Sequence, residues 1–446
     1  MMENRFSHIE IALVIGGTAA VLMLAVLFNF PLAAAMVPGF LMLTVIALKK
    51  GYKSSELWQF SITGIKRNKN IAWLLAFIGV ILPTWYYSGT IGHLNDLFLS
   101  LISPEYFFTA AFIAAAVMSL IIGSAVGSLS IIGLPVMGAA EALGIPAALT
   151  AGALVSGAFV GDRTSPLSSS FQLLSFSVEL EQRKQLKTIV PTMLISAALT
   201  ACIFFVVDQI VDKGSAGSSV EGMNVNELLT GSLFVSSLIP PLVLSIMILL
   251  GKNMKLSFSA GIGSAAVILL FRGVPVSEWL YGSIFGTGAL GGFQGMFPFI
   301  IFILIVGAYC QIIEDTKMIQ PYISRIFRDT TSLPKNTAKT IGVAAGVSLI
   351  SPNQSFPILL AGRSLLPFWK THFSKEHLAR ILADSTVVFA GIVPWSLLAI
   401  LCSTILSVPV LAYAPYAVFL YLTCVVTMLY SMRKSRQAKK TVSAAS

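Results

Sequence analysis

The chain has 446 residues, of which 56% are hydrophobic and only 11% are charged. Soluble globular domains have about 25% charged residues, so this composition excludes a soluble globular protein and indicates that lipid surrounds much of the chain. The net charge of +10 would favour nucleic-acid binding in a soluble protein, but here the basic residues fall between apolar segments. Membrane topology explains basic residues in these loops, so no nucleic-acid partner is predicted.

Eight apolar segments are long enough to cross a bilayer, which takes about 20 residues of helix. They lie at 9–28, 31–48, 70–86, 189–209, 231–250, 256–272, 292–311 and 408–430. Residues 54–65 predict a further helix, which lies in the membrane interface between two basic clusters. The chain is therefore predicted to be an all-α polytopic membrane protein.

The two halves of the chain resemble each other after a shift of 222 positions. Five of the ten residues at 55–64 recur at 277–286, and Asp162 aligns with Asp384. Because the apolar segments are also in phase, we predict an internal duplication. The predicted parts are a first repeat at 1–209, an external linker at 210–230, a second repeat at 231–431 and a basic cytoplasmic tail at 432–446.

The basic residues indicate that the second repeat has inverted topology. Lysine and arginine are enriched in cytoplasmic loops. Stretch 49–70 contains six of them and its counterpart 271–292 contains one, whereas stretch 314–340 contains five and its counterpart 92–118 contains none. Equivalent loops therefore face opposite sides of the membrane, and both termini are predicted to be cytoplasmic.

Two apolar segments are predicted to form re-entrant hairpins. Segment 340–368 is flanked by basic stretches at both ends, yet it is shorter than the roughly 40 residues that two full spans need. Its centre, 351–357, contains two prolines, each of which removes a backbone donor. Its counterpart is 118–145, centred on 127–135. The two tips are predicted to meet near mid-membrane, where non-helical backbone has to line protein or a wet cavity.

The next element of each repeat is predicted to be a membrane-spanning helix that polar residues interrupt. The interruptions lie at 161–170 in the first repeat and at 383–386 in the second. Each repeat then has about five transmembrane helices, one re-entrant hairpin and one broken helix. Inverted repeats with broken helices are typical of secondary transporters, which bind substrate near mid-membrane.

Asp162 and Asp384 are the predicted ion-binding residues, with sodium as the candidate metal ion at both. A carboxylate at bilayer depth costs several kcal/mol unless it is paired, solvated or protonated. The alternative is a structural ion pair, of Asp162 with Arg163 or Arg380. Nearby oxygen atoms either coordinate a hard cation or satisfy backbone groups at the breaks. They belong to Thr164, Ser165, Ser168, Asn353, Gln354, Ser385 and Thr386, with Arg163, Ser128 and Ser130 in supporting positions.

Sequence signatures of enzymes do not occur in the chain. It has no P-loop, nucleophile elbow, HExxH motif or Cys/His metal-ligand spacing. The protein is therefore predicted not to be an enzyme, and to need no cofactor.

The interrupted segments resemble those of the NhaC-type sodium/proton antiporter family. Residues 157–168 look like the signature of that family, with Arg163 where lysine is usual, and residues 383–386 with the Pro-Trp pair that follows look like its second motif. The resemblance runs from about residue 70 to residue 405. It implies sodium/proton exchange across the cell membrane, with the two aspartates as ion-site carboxylates.

The chain departs from the family pattern at Ser169, Gln172 and Asn353, where acidic residues or asparagine occur in the family. Fewer carboxylates mean fewer sites for exchanging cations against protons. A second hypothesis is therefore a sodium- or proton-coupled carrier of amino acids or organic acids. The expected partners are the lipid bilayer with sodium and protons or a small organic substrate, and the sequence leaves a homodimer open. Under the first hypothesis, Asp384→Asn is expected to abolish transport in a folded protein.

Overall fold

A computed structural model describes residues 6–101, 104–211, 232–287, 292–327, 332–351 and 353–445 of the chain. Nearly all regular structure in these residues is helical. Eight of their helices are long and apolar enough to cross a membrane, or nine if the bent pair Leu397–Leu406 and Val410–Tyr416 forms one span. The predicted class, an all-α polytopic membrane protein, is confirmed.

The first half of the chain forms nine helices in the described residues, numbered here in chain order. They are α1 (His8–Leu27), α2 (Leu32–Lys49), α3 (Ser54–Tyr87), α4 (Thr90–Leu101), α5 (Phe107–Ile122), α6 (Ala125–Ala142), α7 (Ala147–Thr164), α8 (Ser169–Ser177) and α9 (Gln182–Ile210). A π-helical turn at Ala12–Gly16 lies within α1, and a short 3-10 turn at Pro104–Tyr106 precedes α5.

The second half forms eleven helices in the described residues. They are α10 (Ser232–Leu249), α11 (Met254–Phe271), α12 (Val276–Phe285), α13 (Gly292–Asp315), α14 (Gln320–Ile326), α15 (Leu333–Ile350), α16 (Ser355–His372), α17 (Lys375–Leu382), α18 (Leu397–Leu406), α19 (Val410–Tyr413) and α20 (Val418–Ala445). A π-helical turn at Ala383–Val387 extends α17. The predicted linker lies outside the described residues from residue 212 onward, and α20 continues through the predicted tail.

Helices α3 and α13 pack against each other in antiparallel directions. Gly64 lies opposite Gly307, and Gly79 lies opposite Gly292. The backbones touch at the first of these contacts, where a Cβ atom added to Gly64 would lie 2.0 Å from the carbonyl oxygen of Gly307. Small residues at such crossings let membrane helices approach closely. The glycines therefore set both the spacing and the register of this helix pair.

Gly307→Ala is expected to destabilise the protein, because the added Cβ would lie 2.6 Å from the carbonyl oxygen of Gly64. Overpacking of this kind costs about 1–3 kcal/mol. Gly295→Ala, on the same helix, meets no atom within 4 Å and should leave stability unchanged or slightly raised. Thermal unfolding of the detergent-purified variants measures the difference. Equal Tm values for the two would contradict the close crossing.

Helices α15 and α16 form the second predicted hairpin. The ends of the two helices away from the tip meet at His377. Thr337 Oγ1 of α15 lies 3.2 Å from the Nε2 atom of His377. The Trp369 ring, near the end of α16, lies 5.6 Å from the imidazole ring. The tip is the break between Ile350 and Ser355. The arms extend beyond both ends of the predicted segment, because the polar outer turns continue the helices.

The first hairpin, α5 and α6, turns at Gly123 and Ser124, and the predicted centre at 127–135 is wrong. Gly123 has a φ of +74°, which glycine adopts at little cost. Ser124 then caps α6 by accepting a hydrogen bond from the N–H of Gly127 at 3.2 Å. The predicted centre lies inside α6, because packed membrane helices tolerate a proline such as Pro135.

The predicted break in the first half is confirmed between α7 and α8. Ser165 is extended, with φ −68° and ψ 130°, because a residue before proline avoids the helical region. The helix ends at Thr164, slightly later than predicted. In the second half the predicted break is displaced: residues 383–386 lie in the π-helical turn, and the chain leaves the helix at 390–396.

The interfacial helix predicted at 54–65 is wrong as a separate element. These residues form the first turns of α3, which is 34 residues long. At 1.5 Å per residue this helix is about 51 Å long, more than the roughly 40–45 Å of a bilayer with its headgroups. The first turns of α3 therefore extend out of the apolar layer.

Candidate functional site

Asp162 lies in the last turn of α7, directly before the break. Its side chain is directed into the protein, and the residue is only 6% exposed. The neighbouring Gly161 packs so tightly on α5 that an added Cβ would lie 2.0 Å from the carbonyl carbon of Ser119. This close packing keeps the carboxylate away from lipid and next to the tips of the hairpins.

The groups that surround the Asp162 carboxylate are neutral. Gln354 Nε2 donates to Oδ2 at 2.9 Å, and Ser170 Oγ lies 3.2 Å from the same oxygen. Ser168 Oγ donates to the main-chain oxygen of Asp162 at 2.6 Å and lies 3.5 Å from Oδ1. The backbone N–H of Ala125, the first residue of α6, also faces the carboxylate. The tips of both hairpins therefore meet at this side chain.

Asp162 has no cationic partner in the part of the chain that the structure describes. None of the ion pairs there includes it. A buried charge without a partner costs several kcal/mol, so this carboxylate requires a proton or a bound cation. The arrangement is suited to a site that exchanges one for the other.

The Asp384 carboxylate, unlike that of Asp162, contacts a cationic side chain among the described residues. The side chains of Asp384 and Arg163 are both 0% exposed, and the Nε atom of Arg163 donates to the Oδ1 atom of Asp384, which also forms an ion pair with Nη2. Thr427 Oγ1 donates to Oδ2. The guanidinium also donates to Thr192 Oγ1 at 3.0 Å. Asp384 is therefore held in a buried ion pair with Arg163, the arginine that the sequence suggested as a partner of Asp162.

Arg163 does not pair with Asp162, although the two are adjacent in sequence. Successive side chains on an α-helix point about 100° apart. Asp162 faces the hairpin tips, and Arg163 faces α9 and the π-helical turn of Asp384. The other nearby arginine, Arg380, donates to the carbonyl oxygen of Thr188 at 2.6 Å. The two aspartates share no hydrogen-bonding partner among the described residues.

Most of the predicted hydroxyl groups bind main-chain oxygens and do not contact a carboxylate. Ser128, Ser130, Ser165, Ser385 and Thr386 donate to Ala125, Val126, Leu120, Ile381 and Leu382, respectively. Thr164 Oγ1 accepts a hydrogen bond from Arg163. These residues therefore stabilise the helices around the breaks, and only Ser168 and Gln354 of the predicted neutral residues reach Asp162.

Asn353 is directed to the other side of the tip from Gln354. Its Nδ2 atom donates to Asn68 Oδ1 at 2.9 Å. Both asparagines line a cavity of about 310 Å³. Arg67, which also lines the cavity, donates to Gln311 and Glu314 at 2.8 Å each. The cavity therefore reaches the residue next to Gln354.

Three polar groups of the site are missing from the sequence prediction. The carbonyl oxygen of Val387 accepts from Gln354 Nε2 at 2.8 Å, and the Ser170 hydroxyl donates to Gln354 Oε1 at 2.6 Å. Ser170 continues the run of serines at 168–170, a signal that could have identified it. Thr427, the third group, lies in an apolar segment 43 positions after its partner Asp384, and nothing in the sequence marks it.

Comparison with known proteins gives consistent similarities. A family model described as the Na+/H+ antiporter family matches residues 228–433. The Na(+)/H(+) antiporter NhaC of Bacillus subtilis is 26% identical over 88% of this chain and 90% of its own length. The protein of the same name from Alkalihalophilus pseudofirmus is 26% identical over 84% of each chain. The malate-2H(+)/Na(+)-lactate antiporter of Bacillus subtilis is 24% identical over 91% of this chain and 90% of its own length.

Proposed function

We propose that this chain, which belongs to the Na+/H+ antiporter family, exchanges sodium ions for protons across the cell membrane. The observation that carries the proposal is the state of Asp162, which is buried among neutral groups and lacks an ion-pair partner in the described residues. A carboxylate in such surroundings holds a proton or a cation, and the two compete. Competition for one group is the minimum that an exchanger requires.

Oxygen atoms near Asp162 supply the ligands for sodium in this proposal. They are the carboxylate, the hydroxyls of Ser168 and Ser170, and the carbonyl of Val387, which Gln354 connects to the carboxylate. Hard cations bind oxygen ligands of these kinds. The Asp384–Arg163 pair has no net charge, so we propose one exchanging carboxylate per chain instead of two.

Alternating access is supported by the elements that meet at Asp162. Two hairpin tips and a broken helix surround it, so movement of either tip would open the site to one side. The part of α3 from residue 70 onward corresponds to α13 under the shift of 222 positions, and the two helices run antiparallel as inverted repeats require. With the basic stretches 49–70 and 314–340 in the cytoplasm, both termini are cytoplasmic and the cavity beside Asn353 faces the cytoplasm.

Proteoliposomes with an acidic lumen and an enclosed pH-sensitive dye test the exchange. Sodium added outside is expected to make the lumen more alkaline, while potassium and choline have no effect. Empty liposomes provide the control for leak. The alternative, a carrier of organic or amino acids, predicts that malate, lactate or an amino acid is needed. Alkalinisation that requires such a substrate and not sodium would contradict the antiport proposal.

A further inference from the structure

Gln354 uses every polar atom of its carboxamide at the ion site. Its Nε2 atom donates to Asp162 Oδ2 at 2.9 Å and to the carbonyl oxygen of Val387 at 2.8 Å, while Oε1 accepts from Ser170 at 2.6 Å. The residue lies at the tip of the second hairpin. It therefore connects α15–α16 to the broken helix on one side and to the π-helical turn on the other.

The amide nitrogen lies between a carboxylate oxygen and a carbonyl oxygen, each within 3 Å. A cation bound by both oxygens would occupy the same place. The two amide hydrogens carry partial positive charge and satisfy these acceptors when no cation is present. An amide nitrogen and a sodium ion cannot occupy this place together.

We propose that the Gln354 carboxamide is an internal substitute for the transported cation. It occupies the cation position when the site is empty, and sodium displaces it. The inference rests on the proposed function. Sodium binding to Asp162 and Val387 removes both hydrogen bonds that Nε2 donates, and so releases the tip of the second hairpin. A proton acts differently. Bound to Asp162 Oδ1, which lies 3.5 Å from Ser168 Oγ, it leaves the hydrogen bond from Gln354 to Oδ2 in place. The tip is therefore attached in the proton-loaded carrier and released in the sodium-loaded carrier.

Gln354→Leu tests the displacement, because leucine has a similar size and cannot compete with sodium. Hydrogen bonds to charged groups are strong enough that their loss from the empty state should lower the half-saturating sodium concentration about tenfold. Sodium titration of the thermal unfolding temperature at alkaline pH measures this binding without turnover. The matched control is Gln172→Leu on α8, an exposed glutamine that donates to Pro166 and does not contact Asp162. Its sodium affinity should equal that of the wild type.

Hydrogen exchange of the wild-type protein provides a test that needs no variant. Ligands usually slow exchange, but here saturating sodium is expected to speed exchange of the amides at 353–358 relative to potassium. Unchanged or slower exchange there, or weaker sodium binding by Gln354→Leu, would make Gln354 an ordinary ligand or tether and overturn the inference. Sodium binding by the wild type would still support the exchange proposal. If the wild type does not bind sodium, the proposed function itself fails.

Discussion

Asp162→Asn is expected to reduce sodium-driven alkalinisation in proteoliposomes to the level of empty liposomes. The substituted amide still accepts a hydrogen bond from Gln354 and has the same shape, so the fold should remain. It has no charge, however, and it can neither release a proton nor balance a sodium ion in a dry site. The dye assay measures the loss, and the same protein should show no stabilisation by sodium.

The control for this variant is Glu141→Gln, which also removes one acidic charge. Glu141 is exposed near the end of α6, the helix whose first residue contacts Asp162. Its Cα is about 24 Å along the helix from that contact. Glu141→Gln should therefore exchange sodium at the wild-type rate. Exchange by Asp162→Asn at a rate close to that of the wild type would show that the ion site lies elsewhere in the chain.

The break beside Asp162 could be predicted because its cause is local. Pro166 prevents the helical conformation at Ser165, and a carboxylate three residues earlier is then left beside the exposed end of a helix. The predicted tip of the first hairpin was wrong for a related reason. Residues 127–135 contain glycines and a proline, but neighbouring helices can compensate for such residues, and the left-handed turn at Gly123 decides where the chain reverses.

The partners of the carboxylates could not be predicted, because they depend on contacts between distant parts of the chain. Arg163 is adjacent to Asp162, yet its guanidinium pairs with a residue 221 positions away. Which face of α7 each side chain occupies follows from the packing of α7 among its neighbours. Adjacency in sequence makes the pair of Asp162 with Arg163 attractive, and helical geometry separates the two. The structure therefore gives the two aspartates different surroundings, although the sequence assigns both to the ion site.

Asp384→Asn is accordingly expected to destabilise the protein and not merely to inactivate it. Loss of one partner leaves Arg163 charged and fully buried, and breaking a buried pair in this way costs about 3–5 kcal/mol. Thermal unfolding in detergent should show a markedly lower Tm. Glu179→Gln is the matched control, since it removes a carboxylate from the exposed pair with Lys370 and should change Tm little. That exposed pair lowers the pKa of Glu179, chiefly through the hydrogen bond from Lys370.

The double variant Arg163→Gln, Asp384→Asn separates structural from transport roles. Removal of both charges leaves no unpaired ion in the interior, and such replacements are often neutral or stabilising. We therefore expect the double variant to recover most of the Tm lost by Asp384→Asn, and to recover sodium/proton exchange with it, because Asp162 is intact. A double variant that is stable but inactive would show that the pair takes part in transport. A single variant with the wild-type Tm would show that Arg163 finds another anion when Asp384 is neutral.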